Sequence, residues 1–243
     1  MAATAALRAG IGTLKVLCPA SAAAGLCALP EAMLAPLPGE RWDACTEAFL
    51  RSYLDAATCI AIGPGMGRAA ETDGVLRLVL SAGKPVVVDA DGLFALARNT
   101  EARAALHGKV VLTPHFGEMA RLLGISIPEV RENQKAFALR SAAQWGCTVL
   151  LKGARSVVAA PDGRFAWNET GNPGLAKGGS GDVLAGIIGA FTAQGLTPSD
   201  AASAGVFVHG KAADLARDRL SEAGMLPRDV IDELPYVFKA WNR

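Results

Sequence analysis

A chain of 243 residues with 51% apolar side chains has ample material for a core, and its 24 Lys plus Arg against 23 Asp plus Glu leave almost no net charge. That balance argues against a nucleic-acid backbone as partner, and no apolar run reaches the roughly 18 residues of a membrane span. Five scattered cysteines (Cys18, Cys27, Cys45, Cys59, Cys147) contain no C-x-x-C pair for zinc or redox chemistry, and free thiols in apolar runs suit the reducing cytoplasm.

Residues 2–9 predict a short helix closed by Gly10, and this Ala-rich start lacks the basic head and long apolar stretch of a signal peptide. Strands are expected at 14–18 and 58–62, the second stopped by Gly63-Pro64. A helix over 70–82 would turn Val75, Leu76, Leu78 and Val79 inward. The β-branched run 84–89 then ends in a carboxylate, and the strand 110–113 ends at Pro114. Helices follow at 117–123 and 128–144, and strands at 148–151 and 156–160. Pro161-Asp-Gly163 is turn chemistry joining Ala160 to the run 164–167, so a hairpin closes the strand series. Helices are expected from about 181, over 199–217 and over 227–240. The early strands are nearly unbroken apolar runs, as in strands covered on both faces. The expectation is one α/β domain over 1–243: a mostly parallel central sheet, helices on both faces and a late hairpin element. In such sheets ligands bind beyond the carboxyl ends of the strands.

Most residues with chemistry in them fall at those ends. Lys177-Gly-Gly-Ser-Gly-Asp182 runs straight into an apolar helix, so bare amides and a helix N-terminus make an anion site of Gly179, Ser180 and Gly181. Asp182 reads either as a helix cap or as a carboxylate able to take a proton from a hydroxyl. Gly186 and Gly189 inside that helix suggest close backbone packing. Gly63-Pro-Gly-Met-Gly67 is a plain strand–helix turn or a flat ligand wall made by Gly65 and Gly67. Asp89 and Asp91 close an apolar strand; they read as turn residues or as a pair sharing a cation or hydroxyl, and Mg²⁺ is often held by one or two carboxylates plus phosphate. His115 and Glu118 follow the strand at 110–113, with helix capping a serious competitor for Glu118. Lys152 ends another strand, as a solvated lysine or a point charge on phosphate. Lys177 reads as a phosphate counter-charge or a surface residue, and His209 as packed behind the site. No metal-ligating set is read from the spacing.

Taken in order, these segments resemble one family. Gly178-Gly-Ser-Gly-Asp182-Val-Leu-Ala-Gly186 looks like the anion hole and acid of ribokinase-like enzymes. Gly63-Pro-Gly-Met-Gly67, Val86-Val-Val-Asp-Ala-Asp91-Gly-Leu93, Leu112-Thr-Pro-His115-Phe-Gly-Glu118, Leu150-Leu-Lys152-Gly-Ala154 and Asn168-Glu-Thr-Gly-Asn172-Pro-Gly174 resemble the ADP- or ATP-dependent NAD(P)H-hydrate dehydratases. The likeness runs from about residue 2 to 241. It implies a cytoplasmic hydro-lyase that returns the S epimer of NADHX or NADPHX to NADH or NADPH, consuming ADP (or ATP) with Mg²⁺ and releasing AMP and phosphate. It also implies a homotetramer with no nucleic-acid or membrane partner. Asp182 becomes the catalytic acid–base group, and Gly65, Gly67, Asp91, His115 and Asp182 the substrate side. Lys152, Gly153, Ala154, Arg155 and Ser156, with Gly179, Ser180 and Gly181, become the nucleotide side.

Against that pattern the chain starts inside the family's Ala-rich helix, without the usual first strand and Gly-rich turn, and without the epimerase domain sometimes fused ahead. An unpaired sheet edge left by that strand would favour association. Two alternatives stay open at this point: a small-molecule kinase of the same fold, hydroxyethylthiazole-kinase-like, and a nucleotide-binding protein without turnover.

Overall fold

Runs of three or four Val, Leu and Ile residues without a polar interruption lie at the centre of the molecule. The structure, a computed structural model, describes residues 1–23, 25, 29–42 and 45–241. In chain order the elements are α1 (Ala2–Arg8), β1 (Leu14–Cys18), α2 (Ala20–Ala23), β2 (Ala32–Pro36), α3 (Glu47–Ala56), β3 (Ile60–Ile62), α4 (Glu71–Ser81), β4 (Val86–Val88), α5 (Asp91–Arg98), α6 (Thr100–Ala104) and β5 (Val110–Leu112). They continue with α7 (Phe116–Leu123), α8 (Ile127–Glu132), α9 (Gln134–Trp145), β6 (Thr148–Leu151), β7 (Ser156–Ala159), β8 (Phe165–Asn168), α10 (Ser180–Ala193), α11 (Pro198–Leu220) and α12 (Pro227–Ala240).

The six-stranded sheet has the order β3-β4-β5-β6-β7-β8. Strands β3 to β6 are parallel, and β6-β7-β8 run antiparallel around the expected 161–163 turn. Alternation along the strands sorts the core. Val87, Val111, Leu150 and Val158 face α1, α10, α11 and α12, whereas Val86, Val88, Val110 and Leu112 face α4, α5 and the buried Leu50 and Leu54 of α3. Val149, Leu151, Val157 and Ala159 pack against α7, α8 and α9. Each fully buried Val or Leu contributes about 1.5–3 kcal/mol, so the short strands hold through two-sided cover. The architecture is the expected one: a mostly parallel central sheet with helices on both faces and a late hairpin.

Helix α1 crosses α10 backbone on backbone: a Cβ on Gly186 would overlap the carbonyl oxygen of Ala2. The same expectation fails for Gly189, where a Cβ would meet only Ala61 Cβ at an ordinary 3.8 Å.

Several boundaries differ from the sequence reading. β1 is not part of the central sheet but pairs in parallel with β2 in a separate two-stranded sheet. The helix expected over 128–144 is broken at Asn133, whose backbone leaves the helical region (φ −121°) and starts α9 afresh. α2, β2, α3, α5 and α6 had no counterpart; Asp91-Gly92, read as turn chemistry, instead opens α5. Cys27 lies outside the described residues. Cys18 and Cys147 are buried and unpaired, and burial pushes the thiols of Cys59 and Cys147 up to about 12, so they stay protonated and inert. Among the described residues no helix is long and apolar enough to cross a membrane.

Candidate active site

The carboxyl ends of β3, β4, β5 and β6 point to one edge, and the N-terminus of α10 comes in above them. Gly179 is the N-cap, held at φ +97°, a left-handed conformation that glycine adopts without a side-chain clash. It turns the chain so that the amides of Gly181 and Asp182, which have no partner in the helix's own ladder, open the first turn. Gly181 lies directly against the next layer: a Cβ there would stand 3.2 Å from Asp89 Oδ2 and 3.3 Å from Lys152 Nζ.

Asp89 and Lys152 themselves form an ion pair at 2.6 Å, with the Asp89 side chain 2% exposed and that of Lys152 20%. Asp89 follows β4 and Lys152 follows β6, where it also bridges to His115 beyond β5. Three strand ends are thereby tied beneath the first turn of α10. Asp91 points elsewhere. Its Oδ2 accepts from the Gly67 amide at 3.0 Å and its Oδ1 from Arg68 Nε at 2.8 Å, which fixes the Gly63–Gly67 loop. The two carboxylates thus have different protein partners, Lys152 for Asp89 and Gly67 with Arg68 for Asp91. Gly63 (φ +117°) is the glycine the packing requires, because a Cβ would overlap the Asp89 carbonyl oxygen; Gly65 and Gly67 are exposed with open space around them.

His115 caps α7. Its Nδ1 accepts from the amides of Gly117 (2.9 Å) and Glu118 (3.2 Å), while the Glu118 carboxylate accepts from the His115 amide, a reciprocal capping box. Nε2 stands 3.5 Å from Glu118 Oε1. Burial pushes the Glu118 carboxyl above the usual range, opposed by the charge of Lys152. Asp182 is also raised, by burial first and by the charge of Asp89 next. Two carboxyls with raised affinity for protons beside a fixed cation suit proton transfer.

The expected nucleotide-side residues divide. Lys152 reaches Gly181, and Gly153 lies against the Phe116 ring as the wall of the β6–β7 turn. Ser156 is spent on that turn, its hydroxyl bonding Gly153 at 3.3 Å. Arg155 is drawn outward, pairing with Glu169 and stacking 5.2 Å from the Trp167 ring. Lys177 does not present its charge to the glycines: Nζ donates to the carbonyls of Ala223 (2.8 Å) and Met225, pinning the loop to the 222–225 turn. Asp89 and Glu118, for which turn and cap readings competed, both lie at this edge, Asp89 under Gly181 and Glu118 as the capping partner of His115. Their signal was a carboxylate next to a strand end, which turn and cap chemistry imitate.

His209 lies buried on α11, with Nε2 unpartnered. The next residue, Gly210, meets Thr170, whose hydroxyl donates to the Phe207 carbonyl, so the segment leading to the glycine loop is seated on this helix. Burial, with the charge of Lys152 second, pushes His209 down to about 4. An unfolded histidine binds its proton near 6.5, so this neutral imidazole stabilises the fold above that pH and the contribution is lost as pH falls toward about 4. His209→Gln is expected to flatten the stability profile across that window, by on the order of 3 kcal/mol. Urea denaturation of both proteins at pH 7.5 and 4.5 checks it; parallel losses in the two would refute it.

Among the described residues no group of three or more His, Cys, Asp or Glu side chains is placed to hold a metal. Asp182, with Asp89 behind it, instead fits an ion that arrives on phosphate oxygens, the usual habit of Mg²⁺.

Comparison with known proteins finds relatives along nearly the whole chain. Residues 1–236 match the family model described as NAD(P)H-hydrate dehydratase. The bifunctional NAD(P)H-hydrate repair enzyme of Moorella thermoacetica is 43% identical over 245 residues, covering 98% of this chain and 46% of that protein. The ADP-dependent (S)-NAD(P)H-hydrate dehydratase of Neisseria meningitidis serogroup B is 41% identical over 207 residues, covering 83% and 69% respectively. The ADP/ATP-dependent NAD(P)H-hydrate dehydratase from Bacillus subtilis, co-crystallized with ATP/Mg²⁺, superposes with a TM-score of 0.83 at 32% identity, covering 99% of this chain and 83% of that one. The chain thus spans less than half the length of the Moorella protein.

Proposed function

Since the chain belongs to the NAD(P)H-hydrate dehydratase family, we propose that it restores NADH and NADPH from the S epimers of NADHX and NADPHX at the expense of ADP. The observation that supports this best is the stacking of Gly181 on the Asp89–Lys152 pair with Asp182 next in the chain. That places bare amides, a fixed cation and a proton-accepting carboxyl within one turn of helix.

In this reading the terminal phosphate of ADP sits on the amides of Gly181 and Asp182, with Lys152 beneath. The hydrated nicotinamide lies between the Gly63–Gly67 loop and His115. Asp182 takes the proton from the C6 hydroxyl, and that oxygen forms a bond to the β-phosphorus while the bond to the AMP oxygen breaks. The C6–O bond then cleaves, driven by the ring nitrogen's lone pair, phosphate departs and C5 gives up a proton, restoring the C5–C6 double bond. Mg²⁺ supplies charge neutralisation on the phosphates. The rest is positioning and fixed electrostatics in a site already organised before phosphate arrives. A cytoplasmic homotetramer acting on these two partners is part of the same proposal.

The purified chain, given NADPHX, ADP and Mg²⁺, is expected to regenerate the absorbance of reduced nicotinamide with release of phosphate. A stable phosphorylated product without that absorbance would instead mark a kinase, and ADP binding without either would mark an inactive binder.

A further inference from the structure

Three guanidinium groups converge on one aromatic ring just outside the Gly63–Gly67 loop. Arg68, Arg98 and Arg121 stand 4.9, 5.1 and 5.3 Å from the Phe94 ring centroid. Arg68 follows Gly67 directly and is paired to Asp91, while Phe94 lies one turn into α5 and Arg121 one turn from the end of α7. Arg98 is committed: it pairs with Asp73 at 2.7 Å and donates to the carbonyls of Arg68 and Ala69. Arg121 is exposed, and among the described residues the Phe94 ring is its one partner and no carboxylate pairs with it.

Like charges gathered this closely repel one another, and ion pairs reach only Arg68 and Arg98 of the three. The arrangement makes sense for a ligand that brings the missing negative charge. Guanidinium groups are suited to phosphate, since their planar donors bind its oxygens in pairs. The cluster's position narrows the ligand further. Asp91 links Arg68 to the Gly67 amide, and Gly63 of that loop packs on Asp89, which in turn touches Gly181 beside Asp182. A molecule reacting at Asp182 and lying along the Gly63–Gly67 loop would carry its remote end toward Phe94.

We propose that Arg68 and Arg121, on the ring that Arg98 helps to hold, form a phosphate subsite for the dinucleotide, remote from the reacting ring and separate from the nucleotide corner at Lys152. The direction of the ligand rests on the dehydratase reading. Phosphate there has two sources, the pyrophosphate common to both substrates and the 2′-phosphate of NADPHX alone.

Titration calorimetry tests it, with NAD⁺ and NADP⁺ as stable dinucleotides and saturating ADP to fill the Lys152 corner. Arg121→Gln is expected to weaken dinucleotide binding at least fivefold, while Arg140→Gln, which removes another arginine stacked on a phenylalanine (Phe137), leaves it as in wild type. Loss confined to NADP⁺ assigns the cluster to the 2′-phosphate; equal loss for NAD⁺ assigns it to the pyrophosphate. Wild-type affinity of R121Q for both dinucleotides, an equal fall in R140Q, or no dinucleotide binding by wild type would each overturn the subsite. Because this readout needs no turnover, an inactive chain that still loses NADP⁺ in R121Q would sink the dehydratase reading and leave the phosphate subsite standing.

Discussion

Asp182→Asn is expected to lower kcat for hydrate repair by about 10³-fold, the scale of a lost acid–base group, while raising the thermal midpoint of the protein at pH 7–8. The two effects share one cause. Burial, and then the neighbouring charge of Asp89, holds the Asp182 carboxyl above its ordinary range. A carboxyl raised in the folded state favours folding below its unfolded pKa of about 3.9, and that advantage disappears as pH rises through the folded value. Wild type therefore bears an ionised, poorly solvated group at neutral pH that asparagine does not. The variant's advantage should shrink as pH is lowered and the wild-type carboxyl takes up its proton. For activity the sign is opposite: the base must be ionised, so the acid limb of kcat/KM in wild type should fall at a higher pH than an unperturbed aspartate gives. Scanning calorimetry and rate profiles on the same preparations check both. An asparagine variant less stable than wild type at pH 7.5, or retaining more than about a tenth of the rate, contradicts this role.

How much of this arrangement can be read from the residues depends on which interactions are local. The apolar runs at 86–88, 110–112 and 148–151 announce buried parallel strands because two-sided cover leaves no room for alternation. The glycine run is followed by Val183, Leu184, Ile187, Ile188 and Phe191 at helical spacing, and that periodicity announces the helix start. What stays hidden is pairing across the fold. Asp89 and Lys152 are 63 residues apart, and neither sequence neighbourhood shows that one turns inward to meet the other. Spacing alone reads Asp91, two positions on, together with Asp89 as turn residues or as a pair sharing a cation or hydroxyl, yet helix α5 begins at Asp91 and its carboxylate accepts from Gly67 and Arg68. Lys177 shows the same limit: its place beside the glycines suggests phosphate, whereas the carbonyls of the 222–225 turn, brought close by α12, claim its ammonium. β2 stayed unseen because Ala32, Ala35 and Pro36 lack strand character, and its pairing with β1 comes from tertiary contact.

The Asp89–Lys152 pair carries the second large effect, on stability and nucleotide binding together. Lys152→Met removes the partner of a carboxylate that is 2% exposed, and breaking a buried pair from one side costs about 3–5 kcal/mol because the remaining charge has neither water nor counter-ion. Methionine keeps most of the side-chain volume, so packing loss is small beside that electrostatic cost. If the pair were only structural, Asp89→Asn in the same chain would restore everything, since a neutral amide beside a thioether leaves no uncompensated charge. The geometry at Gly181 leads to a different expectation. Lys152 Nζ lies 3.3 Å from where a Gly181 Cβ would be, directly under the amides that would take the phosphate in the proposed reading, where its charge would serve the ligand as well as Asp89. The double variant D89N/K152M should recover most of the urea midpoint lost in K152M yet keep KM for ADP raised at least tenfold. Recovery of both would reduce Lys152 to a fold-stabilising residue; recovery of neither would mean that the pair's polar contacts, rather than its charge balance, hold β4, β5 and β6 together at the active edge.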